Sequence, residues 1–232
     1  GSKNIGVMHA CGHDVHTSSL LGVAKILNDL KSEIGGTIKL IFQPGEERLP
    51  GGASLMIKEG VLQNPEPQGI VGQHVMPLIE AGKVGFRSGK YMASCDELFM
   101  TVKGKGGHGA HPHQNIDPIA ITAQIITAMQ QIVSRNADPR TPSVLSWGKI
   151  VGNGATNVIP DEVYLEGTFR TFDEAWRVEA HEKMVKMAVG IAESMGAICD
   201  FEVRKGYPFL INEAKITAAA QSYAMDYLGA EN

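Results

Sequence analysis

The order of apolar segments changes character once along this chain, near residue 90, and that change limits the folds open to it. From Ile5 to about Gly89, short apolar runs alternate with polar loops and helical spacings. Leu20, Val23, Ala24, Leu27, Leu30 and Ile34 recur at helical spacing over residues 16–34, and Gly35-Gly36 ends the run. Residues 37–42 and 69–75 read as buried strands, and residues 53–59 as a short helix closed by Gly60. Strands alternating with helices predict an α/β domain with a mostly parallel sheet covered on both faces.

From about Cys95 to Gly206 the order becomes strand, helix, strand, strand, helix, strand. The strands are expected at 97–103, 143–151, 162–171 and 199–204. Asp117-Pro118 supplies an N-cap and first-turn pair for a helix through Ile121, Ile125, Met129, Ile132 and Val133. Val178, Met184, Val185, Ala188, Ile191, Ala192 and Met195 mark the second helix, stopped by Gly196. This is the split βαβ order of a ferredoxin-like unit, expected as an inserted α+β domain. A last helix is expected over 214–228.

Composition narrows the function classes. Net charge is −4 with Lys and Arg scattered, so no nucleic-acid patch or polybasic membrane anchor is expected. Three cysteines, Cys11, Cys95 and Cys199, lie far apart and cannot all pair, which argues for a reducing cytoplasm. No apolar run reaches the roughly 20 residues needed to span a bilayer.

Chemistry concentrates in His9-Ala-Cys-Gly-His-Asp-Val-His16. Cys11 and His13 are two apart, so in an extended segment both side chains leave one face. A thiolate and an imidazole converging there suit Zn²⁺, with Mn²⁺ also open. Asp14 and His16 can orient such ligands. Gln43-Pro-Gly-Glu-Glu47 follows the expected strand at 37–42; of its adjacent carboxylates, one can bind metal while the other takes a proton from water. His74, in Gly72-Gln-His-Val75, also sits at an expected strand end, so these residues are predicted to gather along one rim of the sheet.

In the second half, Gly104-Lys-Gly-Gly-His-Gly-Ala-His-Pro-His113 is glycine-rich, but its spacing fits neither phosphate-binding fingerprint. Its glycines are expected to bring the backbone close to a ligand while His108 reaches out. Asn157 can donate to a carbonyl, and Arg170 can hold a carboxylate with a bidentate pair. His181, Cys95 and Cys199 read as structural.

Taken in order, these motifs resemble the aminoacylase and carboxypeptidase metallopeptidases, specifically the amidohydrolase branch with hippurate and auxin-conjugate hydrolases. The resemblance implies two divalent ions, Mn²⁺ or Zn²⁺, held by Cys11, His13, Glu47 and His74, with Cys11 bridging. It implies Glu46 as general base, His108 at the oxyanion of its own or the partner subunit's active site, and Asn157 and Arg170 on the substrate's carbonyl and carboxylate. The implied fold is a phosphorylase/hydrolase-like catalytic domain (residues 1–93, resumed at 208–232) with a ferredoxin-like lid and dimerisation domain at 94–207. The implied activity is hydrolysis of N-acyl amino acids by a homodimer. A dipeptidase or carboxypeptidase, and a catalytically incomplete dimerisation scaffold, are the competing readings. The family's earlier strand with its Asp and its final His ligand have no counterpart here, so the chain is expected to be part of a longer protein.

Overall fold

The computed structural model describes residues 3–232. They divide into two compact units, one holding the residues up to Phe86 together with Lys215–Asn232, the other Arg87–Ala214.

The first unit carries α1 (His13–Asp29) and α2 (Gly52–Lys58). Helix α1 starts three residues earlier and stops sooner than the apolar periodicity suggests, turning at Leu30 well before Gly35. Among the described residues this unit holds no β-ladder, and every ladder in the chain is antiparallel. The mostly parallel, phosphorylase/hydrolase-like sheet expected from the sequence is therefore not seen. Apolar runs at 37–42 and 69–75 supply side chains for a sheet face. A strand, however, exists only where a second backbone takes up its N–H and C=O groups. Here Ile38, Leu40, Phe42, Ile70 and Val71 remain 38% to 79% exposed. Lys39 Nζ instead ties its segment to the turn after α2, donating to the carbonyls of Val61, Gln63 and Pro65 at 2.8, 2.7 and 3.1 Å.

The second unit runs β1 (Gly89–Met92), β2 (Asp96–Lys103), β3 (Gly107–His108), α3 (Pro118–Gln131), β4 (Ser143–Val151), β5 (Val158–Ile159), β6 (Glu162–Thr171), α4 (Glu174–Ser194), β7 (Ile198–Arg204) and β8 (Leu210–Asn212). Four strands form an antiparallel sheet in the order β4-β6-β2-β7, while β1 pairs with β8 and β3 with β5. A last helix, α5 (Ala214–Leu228), follows. No helix among the described residues is long and apolar enough to cross a membrane.

Burial along β2 alternates strictly, with Leu98, Met100 and Val102 inward and Glu97 and Lys103 outward, as the two-residue period of a strand requires. These residues meet Val163, Leu165 and Phe169 of β6 under α3 (Ile121, Ile125, Met129) and α4 (Ala180, Met184, Ala188, Ala192). Each large apolar side chain buried here is worth about 1.5–3 kcal/mol. Both helices start on side-chain caps: Asp117 accepts from the Ile119 and Ala120 amides, and Asp173 from the Trp176 amide.

One polar cluster sits inside this core. The Arg177 guanidinium forks onto both oxygens of Asp96, and it also reaches Glu174 and the Gly206 carbonyl. His181 Nε2 and the Gly206 amide approach the same carboxylate at 2.8 and 2.9 Å. Burial alone would raise the Asp96 pKa. The hydrogen bonds from Arg177, His181 and Gly206 outweigh it and hold the carboxyl far below the usual range.

Candidate metal centre

Gly12 is the joint on which the site turns. It is left-handed (φ 77°) and caps α1, so Cys11 lies before the helix while His13 opens it. The two do not leave one face of an extended segment, as the spacing suggested. They converge because a left-handed glycine folds the chain back between them. A Cβ at Gly12 would come within 2.6 Å of Val75 Cγ2, so the glycine also lets the helix end close onto the segment that carries His74.

Cys11 Sγ lies 3.4 Å from His74 Nε2. The His13 ring faces Glu46 through Nε2 at 3.7 Å and Glu47 through Nδ1 at 3.8 Å. Donor atoms of Cys11, His13 and His74 all lie within 4.8 Å of one another, and so do those of His13, Glu46 and Glu47. Two triads of candidate donors thus share His13. The set mixes a thiol, imidazoles and carboxylates, a donor chemistry that fits Zn²⁺ or Mn²⁺. The expected rim of a parallel sheet does not assemble these residues. The end of α1, the loop at 43–47 and the segment at 72–75 do so without any ladder.

His16 stands one helical turn beyond His13, with its ring 4.4 Å from that of His74. Its pKa is lowered, first by burial and then by the neighbouring His74 and His13. His9 belongs to neither triad. Asp14 lies exposed in the first turn of α1, where an acidic side chain complements the helix dipole.

The remaining candidates lie in the second unit. His108 in β3 is opposite Val158 of β5, and the Gly109 amide donates to the Asn157 carbonyl at 2.8 Å, so the backbone at 108–109 runs beside that at 157–158. His108 Nδ1 accepts from the Ala110 amide at 3.1 Å. Arg170 is exposed on β6, opposite Val144. The glycines of this loop serve backbone packing. A Cβ at Gly104 or Gly106 would fall 2.1 or 2.4 Å from a carbonyl oxygen, of Ile116 or Ile159 respectively.

All three cysteines are free. Cys199 is pushed up to about 11 by burial, in keeping with an inert core thiol. The Asp96–Arg177 pair escaped the sequence reading because 81 positions separate its members. The available signal was an arginine on the Trp176, Ala180, Met184 face of an apolar helix.

Residues 1–232 match Peptidase family M20/M25/M40. An N-acyl-L-amino acid amidohydrolase of Geobacillus stearothermophilus is 48% identical over 211 residues, which are 91% of this chain and 56% of that protein. Thermostable carboxypeptidase 2 of Saccharolobus solfataricus is 40% identical over 93% of this chain and 55% of its own length. Among solved structures, the Bacillus subtilis YXEP protein, a dinuclear metal binding peptidase from the M20 family, is 36% identical with a TM-score of 0.73, covering 98% of this chain and 57% of that one. The chain spans about half the length of the curated relatives it matches. With a motif-borne cluster of metal-compatible donors and a family match along its whole length, this chain belongs to Peptidase family M20/M25/M40.

Proposed function

We propose that this protein is a metal-dependent amidohydrolase that cleaves the amide bond of N-acyl amino acids. The observation that carries the reading is the pair of donor triads sharing His13. The Geobacillus amidohydrolase and the dinuclear peptidase support it. In this reading Cys11, His13, Glu47 and His74 hold two divalent ions, Mn²⁺ or Zn²⁺. Ions bound there would supply Lewis acidity, making water more acidic and a carbonyl more electrophilic.

The chain's own residues divide the rest of the work. Glu46 takes a proton from the attacking water on a carboxylate oxygen and delivers it to the departing amine nitrogen. His108 accepts at Nδ1 from the Ala110 amide, so as a neutral ring it carries its proton on Nε2 and can donate it to a developing oxyanion. A donor of this kind contributes about 3–4 kcal/mol of transition-state stabilisation. Asn157 contacts the substrate carbonyl, and Arg170 holds its carboxylate through two parallel hydrogen bonds.

Two further assignments belong to this proposal. The second unit pairs with its copy across a two-fold axis, for which β4 and β7 offer outer edges without a ladder partner among the described residues. The cellular setting is a reducing cytoplasm, on the strength of three free cysteines. A carboxypeptidase is the second reading, favoured by the 40% identity to the Saccharolobus enzyme.

The test is amino-acid release from N-acetyl and N-benzoyl amino acids and from dipeptides, using protein stripped with chelator and re-supplied with Mn²⁺ or Zn²⁺. Metal-restored cleavage of the acyl amino acids, lowered roughly 10²–10⁴-fold by Glu46→Gln, supports the amidohydrolase. Cleavage confined to the dipeptides moves the assignment to the peptidase.

A further inference from the structure

We propose that His16 is a positioning residue for the metal centre, setting the place and tautomer of His74 through Val75 rather than ligating metal itself. The proposal rests on the metal-site reading above. Two histidines grip the same residue. The Val75 amide donates to His16 Nε2 at 3.0 Å, and the Val75 carbonyl lies 2.7 Å from His74 Nδ1.

Each contact settles a proton. His16 accepts at Nε2, so a neutral His16 carries its hydrogen on Nδ1. His74 can bond a carbonyl only by donating, so its hydrogen sits on Nδ1. The lone pair of His74 then emerges at Nε2, the atom that lies 3.4 Å from Cys11 Sγ. A ligating histidine needs its second nitrogen engaged in this way to fix ring and tautomer.

The Val75 amide also occupies the His16 atom that could otherwise reach a metal, and His16 is in neither donor triad. Packing completes the grip, since Gly12 admits Val75 Cγ2 where any Cβ would clash. Val75 is therefore held at two points by the first turn of α1, through side chain and amide. His13 opens that same turn. His16 thus transmits the position of one expected ligand-bearing element to the other.

The experiment is Zn²⁺ binding to the full protein, measured by competition with a chromophoric chelator, for wild type, His16→Ala, His16→Gln and His74→Ala. Thermal stability of each metal-free protein and the Val75 amide resonance are followed in parallel. Alanine is the stronger helix former, so α1 persists in His16→Ala. The expected result is a 10–100-fold loss of Zn²⁺ affinity in His16→Ala, in the range seen when a ligand's supporting partner is removed. The Val75 resonance should shift, and His16→Gln, whose Oε1 can accept the same amide, should recover part of the affinity. If wild type binds Zn²⁺ and His16→Ala binds it equally well, the positioning role is overturned while the metal site stands. An affinity loss that tracks a fall in metal-free stability, without rescue by Gln, also overturns it in favour of a folding role. If wild type and His74→Ala alike bind no Zn²⁺, the metal reading itself falls and takes this proposal with it.

Discussion

Replacing Arg177 with methionine tests the energetics of the second unit at its most constrained point. The guanidinium is fully buried and makes bonds to Asp96, Glu174 and the Gly206 carbonyl. Methionine keeps much of the stem and removes the charge. Asp96, also fully buried, is left with His181 and the Gly206 amide, while Glu174 keeps Lys205. Breaking one side of a buried pair costs about 3–5 kcal/mol, because the other charge stays buried without its partner.

The pH dependence follows from the direction of the Asp96 shift. In wild type the folded carboxyl is depressed, so it stabilises the fold above the ordinary aspartate range. That stabilisation is lost as pH falls below about 4. In Arg177→Met burial prevails, the folded pKa rises, and the carboxylate becomes a liability that protonation relieves. The gap between the two proteins is therefore widest near neutrality and narrows on acidification.

Both tryptophans, Trp147 and Trp176, lie in the second unit, so fluorescence-detected urea unfolding reports that unit. The expected outcome is a destabilisation of about 3–5 kcal/mol at pH 7, shrinking by pH 3–4, with Arg177→Lys intermediate because it keeps charge and loses the fork. A loss under about 1 kcal/mol at pH 7, or one that does not vary with pH, refutes the reasoning.

Two smaller perturbations address local chemistry. Asp117→Ala removes the acceptor of the Ile119 and Ala120 amides and should destabilise the second unit by about 0.5–2 kcal/mol in the same urea assay. Gly12→Ala forces a side chain into a left-handed residue and against Val75 Cγ2. Its conformational cost alone is about 1–2 kcal/mol, and Zn²⁺ affinity should fall with it, which the chelator competition reads directly.

Much of the candidate centre was legible as residue types. Cys11, His13, Glu46, Glu47 and His74 were singled out by spacing and chemistry, and the structure places their donor atoms in two groups that share His13. The reason offered for their meeting did not survive. An extended Cys11–His13 pair and a parallel sheet rim are replaced by a left-handed Gly12 and three segments without ladders. Which nitrogen of His74 faces Cys11 was not legible, because it depends on the carbonyl of Val75 at Nδ1 and on the approach of a residue 63 positions away.

Determined by the sequence itself were the features whose energetics close within a few residues. Asp117-Pro118 starts α3, Gly60 follows the end of α2, and the alternation in β2 decides which of its faces is buried. Caps, turns and periodicity act through neighbours along the chain, so spacing reveals them. Left to the tertiary structure were the lack of ladders among the described residues of the first unit and the joining of Asp96 to Arg177. An apolar run records that a surface can be buried, not which backbone will bond to its edges. That choice depends on loop closure and on contacts between residues far apart in sequence, which local pattern does not encode.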